Sequence, residues 1–154
     1  PTIASLRKAC PFGPLHGQID LVEGDFFKEV PSGGDLYLIR HVLHNWPDSQ
    51  ARIILENCRK AMPPNAQLLV VDMLIEEDDL APRTMDIAML HLLGGRERTV
   101  LEVKTLLKQA GFKFMGVVKT STPMSLLISS VQTLPQENEN SVTSNPPLPE
   151  PLLV

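Results

Sequence analysis

The sequence predicts an α/β layered fold whose mostly parallel sheet ends in an antiparallel hairpin, and three observations carry that prediction. Apolar runs of strand length alternate with stretches of helical spacing along the chain. AQLLVVDMLI (66 to 75) is a continuous apolar run rich in Leu and Val, as expected of a central parallel strand covered on both faces. FKFMGVVKT and MSLLISSVQ, separated only by STP, read as two closing strands.

The elements follow in order. IASLRKA, within residues 2 to 10, is helix-compatible, and IDLVEGDFF (19 to 27) reads as a short buried strand leading into a turn. The SGGD turn (32 to 35) precedes a second strand, DLYLIRHVL. After Pro47, Asp48 is placed to cap a helix reaching Met62, with Ile54, Leu55, Cys58, Ala61 and Met62 on one face, and PPN ends it. The acidic EEDD after the central run marks a surface loop, and residues 84 to 93 return to helical spacing until GGRERT interrupts them. Thr99 and Glu102 form a capping-box pair for the next helix. There Val103, Leu106, Leu107 and Ala110 make the buried stripe, and Gly111 supplies the stop.

A chain of 154 residues, 43 % hydrophobic, builds one ordinary core, assigned to residues 1 to 131. From 132 to 154 the composition turns polar and proline-rich (QENENSVTSNPPLPEP), which predicts a disordered tail. Its PPLP matches the minimal pattern of ligands for SH3-like grooves, against the plainer reading of a solvated tail. A net charge of -4 with scattered Lys and Arg supplies no basic patch, so nucleic acid is not an expected partner. Cys10 and Cys58 lie in no metal-ligand spacing and follow no secretory signal, so both read as free thiols of a cytoplasmic protein. No apolar stretch has the length of a bilayer span, and no membrane association is expected.

In open α/β sheets ligands bind at the carboxyl ends of the strands. The polar residues at those ends here are Gly24-Asp25-Phe26, Arg40 through Trp46, Asp72, and the loop Gly94 to Thr99. Singly, each has a structural explanation: Asp25 a cap, Asp72 a solvated acid, Glu97 part of an exposed RER charge run, His44 a hydrogen-bonded core imidazole. Jointly they suggest a base. An imidazole with a pKa of about 6.5 accepts a proton near neutrality, and a carboxylate beside it, Asp72 or Glu97, fixes its tautomer and stabilises the imidazolium. His41, three residues before His44, falls on the opposite face of a strand and reads as structural. No HxH, HxxE or CxxC spacing gathers metal ligands, so no metal is expected.

GDFFKEVPSGGDLYLIRHVLHNWPDSQARIILENCRKAM, LLVVDMLI, MDIAMLHLLGGRERT and LLKQAGF together resemble the C-terminal half of the class I S-adenosylmethionine-dependent O-methyltransferases, in the caffeic acid and hydroxyindole branch. The resemblance covers residues 1 to 130, and its H-[DN]-W and GG-[KR]-ERT elements are specific. It implies a Rossmann-like methyltransferase sheet lacking its first strands. It also implies that His44 is the general base that deprotonates a substrate hydroxyl, flanked by Asp72 and Glu97. Asp25 and Phe26 then match the adenine-contacting segment, and Arg40 a basic residue near the cofactor. Met85 and Met89 fall in the helix that lines the acceptor pocket, although a methionine stripe also suits a core. Asn45 stands where many members carry Asp, next to the substrate, and cannot ionise.

The implied co-substrate is S-adenosyl-L-methionine, the implied acceptor a small hydroxylated, aromatic molecule, and the implied assembly of the full-length protein a homodimer. The resemblance places the glycine-rich cofactor loop, the ribose-binding acid and the dimerising helical domain upstream of Pro1. A noncatalytic interaction module with the same fold is the alternative reading, and a nicotinamide-dependent oxidoreductase, for which no GxGxxG is present, is a further one.

Overall fold

The computed structural model describes residues 18–76, 86, 91 and 94–132. The predicted helix within residues 2 to 10, Cys10, Met85, Met89 and the proline-rich tail lie outside the described residues. Four strands form one mixed sheet: β1 (Leu36–Arg40), β2 (Gln67–Met73), β3 (Phe112–Lys119) and β4 (Met124–Val131), in the order β1-β2-β4-β3. β1 and β2 are parallel, joined through helix α1 (Asp48–Ala61), while β4 runs antiparallel to both β2 and β3. The α/β class and the closing hairpin are therefore present. The hairpin's second strand, however, inserts beside β2, so one of the three described pairings is parallel.

Alternation explains why β2 is central. Leu68, Val70 and Asp72 are buried on one face, while Leu69, Val71 and Met73 are half-buried on the other. Helix α1 contributes Ile54, Leu55 and Cys58 to the core, and helix α2 (Val100–Gln109) contributes Val103, Leu106 and Leu107. These side chains form one cluster with Leu68, Val70, Phe112 and Leu127, each burial stabilising by roughly 1.5 to 3 kcal/mol for a large apolar side chain. The capping box of α2 is formed. Thr99 Oγ1 accepts from the Glu102 amide at 3.3 Å, and Glu102 Oε2 accepts from the Thr99 amide at 2.8 Å. Gly111 closes the helix at φ 84°, a left-handed conformation that glycine adopts without a Cβ penalty.

Three sequence expectations are corrected. Residues 19 to 27 form no strand; they run as an irregular segment ending in a turn, with Ile19 and Val22 exposed and no pairing to any described strand. Asp48 is the first residue of α1 and Pro47 its N-cap, so the Asp48 carboxylate caps nothing and is free to bond Arg98. β1 stops at Arg40, and His41 adopts φ 54°. The strand alternation that put His41 and His44 on opposite faces ends before it reaches them.

Candidate active site

The site is built where the parallel strands β1 and β2 end. Beyond Arg40 the left-handed His41 turns the chain, and Leu43–Asn45 form one turn of 3₁₀ helix that lifts His44 over the end of β2. That turn is held from below by the loop entering α2. The Arg96 amide donates to the His44 carbonyl at 2.9 Å, and Ile75 N donates to Arg98 O at 2.9 Å beside a parallel bridge between Leu74 and Arg98. Gly95 is required by the fit. A Cβ there would collide with the His44 carbonyl oxygen and lie 2.5 Å from the backbone carbon of Asn45.

Two buried carboxylates face the imidazole. Glu97, 1 % exposed, sets Oε1 2.8 Å from His44 Nδ1, and Asp72 holds Oδ1 3.7 Å from the same nitrogen. Nδ1 thus donates to Glu97, and Nε2 is left as the lone-pair nitrogen. The Glu97 bond raises the His44 pKa above its ordinary value; burial opposes this and the Asp72 charge assists. Burial pushes the Asp72 carboxyl up to about 7, against the pull of His44. Asp72 Oδ1 and Glu97 Oε2 have no hydrogen-bond partner among the described residues. The adjoining cavity, about 10 Å³ and lined by Leu43, His44, Asp72 and Glu97, has room for roughly one water. Glu97 is fixed from its own backbone as well, its amide donating to Asp86 Oδ1 at 2.7 Å.

The sequence assigned Glu97, read singly, to an exposed charge run; instead both Glu97 and Arg98 are buried. Arg98 belongs to the polar loop Gly94 to Thr99 that stands out in the sequence, but the sequence gives it no role beyond the family-like GGRERT string. His41, read as lying on the far face, brings its ring within 5.3 Å of His44 in an edge-on contact. One ligand atom each from His41, His44 and Asp72 lies within 4.8 Å of the others, so the gathering of ligand atoms that the sequence spacing did not predict is present. Ligand atoms on one small divalent ion stand about 3 to 3.5 Å apart, so coordination there would require these side chains to close further.

The remaining predicted residues surround this centre. Asn45 donates from its side-chain amide to the His41 carbonyl at 3.3 Å, which ties the turn together. Asp25 Oδ1 accepts from the Phe27 amide at 3.0 Å and its carboxylate pairs with Lys28, organising the turn that presents Phe26. The Phe26 ring is partly exposed, and Phe26 and Phe27 pack edge-on against Trp46, with Phe27 4.8 Å from it centre to centre. Asn57 in α1 anchors this turn by donating to Phe26 O at 3.1 Å. Arg40 is exposed at the end of β1. Larger surface hollows lie elsewhere, along α2 and the start of β3, and contain none of the predicted residues.

Comparison with known proteins bears directly on this arrangement. Residues 3–113 match the model of the O-methyltransferase domain family, a stretch that contains His44, Asp72 and Glu97. O-methyltransferase SfmM3 of Streptomyces lavendulae is 41 % identical over 137 residues, covering 82 % of this chain and 41 % of the relative. Among solved structures, human N-acetylserotonin methyltransferase in complex with SAM superposes with a TM-score of 0.71 at 34 % identity, over 76 % of this chain and 35 % of that one. NcsB1 from neocarzinostatin biosynthesis, bound to S-adenosyl-L-homocysteine and 1,4-dihydroxy-2-naphthoic acid, superposes with a TM-score of 0.75 at 30 % identity, over 83 % and 38 % of the two chains. The chain spans less than half the length of these relatives. The matched region runs through the strand ends that converge on His44, and on that footing the chain belongs to the O-methyltransferase family.

Proposed function

We propose that this chain carries the proton-transfer half of an S-adenosyl-L-methionine-dependent O-methyltransferase site acting on a hydroxyl of a small aromatic acceptor. The single observation that carries the reading is the buried 2.8 Å contact between His44 Nδ1 and Glu97. It commits Nδ1 as a donor and leaves Nε2 basic, which is the state a general base requires. A phenol, with pKa of about 10, is mostly protonated at neutral pH and gives such a base its task.

Nε2 takes the hydroxyl proton as the acceptor oxygen receives a methyl group whose bond to sulfur breaks, the bonding pair staying on the sulfur of the departing thioether. The resulting imidazolium is stabilised by Glu97 and by whichever charge Asp72 retains. S-Adenosylmethionine, when bound, supplies an activated methyl group on a sulfonium. Of the residues assigned to hold it, Phe26 fits, because its partly exposed ring is free to stack on a base. Asp25 fits less directly, since its carboxylate already serves the turn. Asn45 borders the acceptor side through the turn it braces, and Met85 and Met89 are assigned to the acceptor pocket on family likeness alone. The aromatic acceptor class is supported by the naphthoic acids bound in NcsB1. No step needs a metal. For the whole protein we extend the proposal to a cytoplasmic homodimer; the free, buried Cys58 is in keeping with a reducing compartment.

The test has two stages. Calorimetric titration with S-adenosylhomocysteine should show no ordinary micromolar binding by the 154-residue chain, and binding once a family glycine-rich loop segment is joined upstream. In that binding-competent protein His44→Ala should lower methyl transfer to a dihydroxynaphthoate by about 10² to 10⁴-fold with binding retained. Turnover that survives His44→Ala would end the assignment of the base.

A further inference from the structure

The turn that carries His44 is too short to hold itself. Leu43–Asn45 is a single 3₁₀ turn, closed by Asn45 N to Val42 O at 3.1 Å and Trp46 N to Leu43 O at 3.2 Å, and such turns have poor internal geometry. Its rigidity has to come from outside. Arg98, 3 % exposed, sits directly beneath it. Nη1 donates to Leu43 O at 2.8 Å and Nη2 to Trp46 O at 2.7 Å, the carbonyls on either side of His44. Nε donates to Asp48 Oδ1 at 2.9 Å, which joins the same guanidinium to the first residue of α1. The Arg98 backbone is itself fixed to the end of β2 through Ile75.

One dipeptide therefore holds both halves of His44. Glu97 takes the ring and Arg98 takes the main chain around it. We infer that Arg98 is a positioning residue for His44, a planar fork that holds the Leu43–Trp46 turn at the height where the imidazole meets Glu97. The catalytic meaning of this rests on the reading of His44 as the base; the geometric statement does not. Lysine cannot replace it, because an ammonium lacks the fixed fork that reaches two carbonyls and a carboxylate at once.

Charge and positioning make opposite predictions here. The groups facing the His44 ring are Glu97, Asp72, His41 and the Arg98 guanidinium, and the Arg98 charge by itself lowers the His44 pKa. If Arg98 acted only through charge, its removal would raise that pKa. If it positions the turn, its loss weakens the Nδ1–Glu97 bond and the pKa falls toward the ordinary value of about 6.5.

The experiment is a pH titration of the 154-residue chain, labelled with ¹⁵N in histidine and followed by NMR, for the wild type, Arg98→Lys, Arg98→Met and Asp48→Asn. In Arg98→Lys and Arg98→Met the His44 Nδ1 proton should exchange at least about tenfold faster than in the wild type and the pKa should drop, with Asp48→Asn shifting less in the same direction. An unchanged titration in Arg98→Lys, or a rise in Arg98→Met, overturns the inference. If neither Arg98 variant folds, Asp48→Asn decides, since that half-exposed carboxylate anchors the guanidinium from outside the core; an unchanged His44 there also overturns it. Methyl transfer enters none of these readouts, so a failed base assignment and a failed positioning role are told apart.

Discussion

The two ends of this sheet are stabilised by different means. The β3–β4 hairpin is local and apolar. Its strands pair across a short turn with one register shift between Phe114 and Gly116, and β4 buries alternate residues along its whole length. The His44 centre is nonlocal and polar, since His44 and Glu97 are 53 residues apart and Leu43 and Arg98 are 55 apart. A periodic pattern secures the first. The second depends on a few hydrogen bonds between segments that no local pattern relates, so single changes should act far more strongly there.

Matched glycines offer the sharpest way to break this comparison. Gly95→Ala would drive a methyl group into the backbone under His44, and we expect a loss of about 3 kcal/mol or more in urea unfolding, above the usual range for overpacking because main chain must move. Gly116→Ala in the hairpin meets nothing within 4 Å, and its effect should stay within about 0.5 kcal/mol. Equal effects at the two positions would remove the contrast.

The next contrast is in pH. A carboxyl raised from 3.8 to about 7 keeps its proton in the folded state while the unfolded chain has lost it, so folding binds protons across that window. Stability should therefore fall as pH rises from about 4 to about 7, by at most roughly 1.4 kcal/mol per pH unit for one proton. His44, whose pKa is also raised, extends the fall from about 6.5 up to its folded value. Subtracting the Asp72→Asn curve from the wild type isolates the first part, and a flat difference would show that Asp72 titrates normally. Ser129→Ala, at a fully buried hairpin position without charge, should leave the pH dependence unaltered.

A smaller loss than at Gly95 is expected at the seam between the two regimes. Thr99→Ala removes the cap of α2 next to the Glu97-Arg98 pair and should cost about 1 kcal/mol in thermal or urea unfolding. If its amide exchange increases only within α2 and not at Leu43–Trp46, the helix and the site are held independently.

The same division governs what was legible in the sequence. The hairpin strands, the capping box, the Gly111 stop and the buried stripe of α2 were all readable, because each depends on neighbours within a few residues. His44, Asp72 and Glu97 were visible as residues of the right chemistry, but their convergence could be anticipated only from likeness to a family. His41 was misplaced because one left-handed residue ended the alternation, and nothing in a histidine announces φ 54°. Glu97 and Arg98 look like solvated charges in the string RER. Their burial accompanies backbone bonds from Arg98 to Ile75, just past β2, and from the neighbouring Arg96 to His44, which are set by tertiary contact. The strand expected over 19 to 27 failed for a related reason, since an apolar run becomes a strand only when a partner supplies its hydrogen bonds.

The insertion of β4 between β2 and β3 also fixes an order of events during synthesis. β1, α1 and β2 leave the ribosome before β3 and β4, so among the described strands one side of β2 stays unpaired until β4 has been made and inserted beside it. A premature stop before Met124 would thus remove the middle of the sheet, stranding β3 and opening β2, the strand that bears Asp72. Until β4 is made the nascent chain presents a bare apolar edge on β2, and chaperone dependence and misassembly should concentrate in that interval.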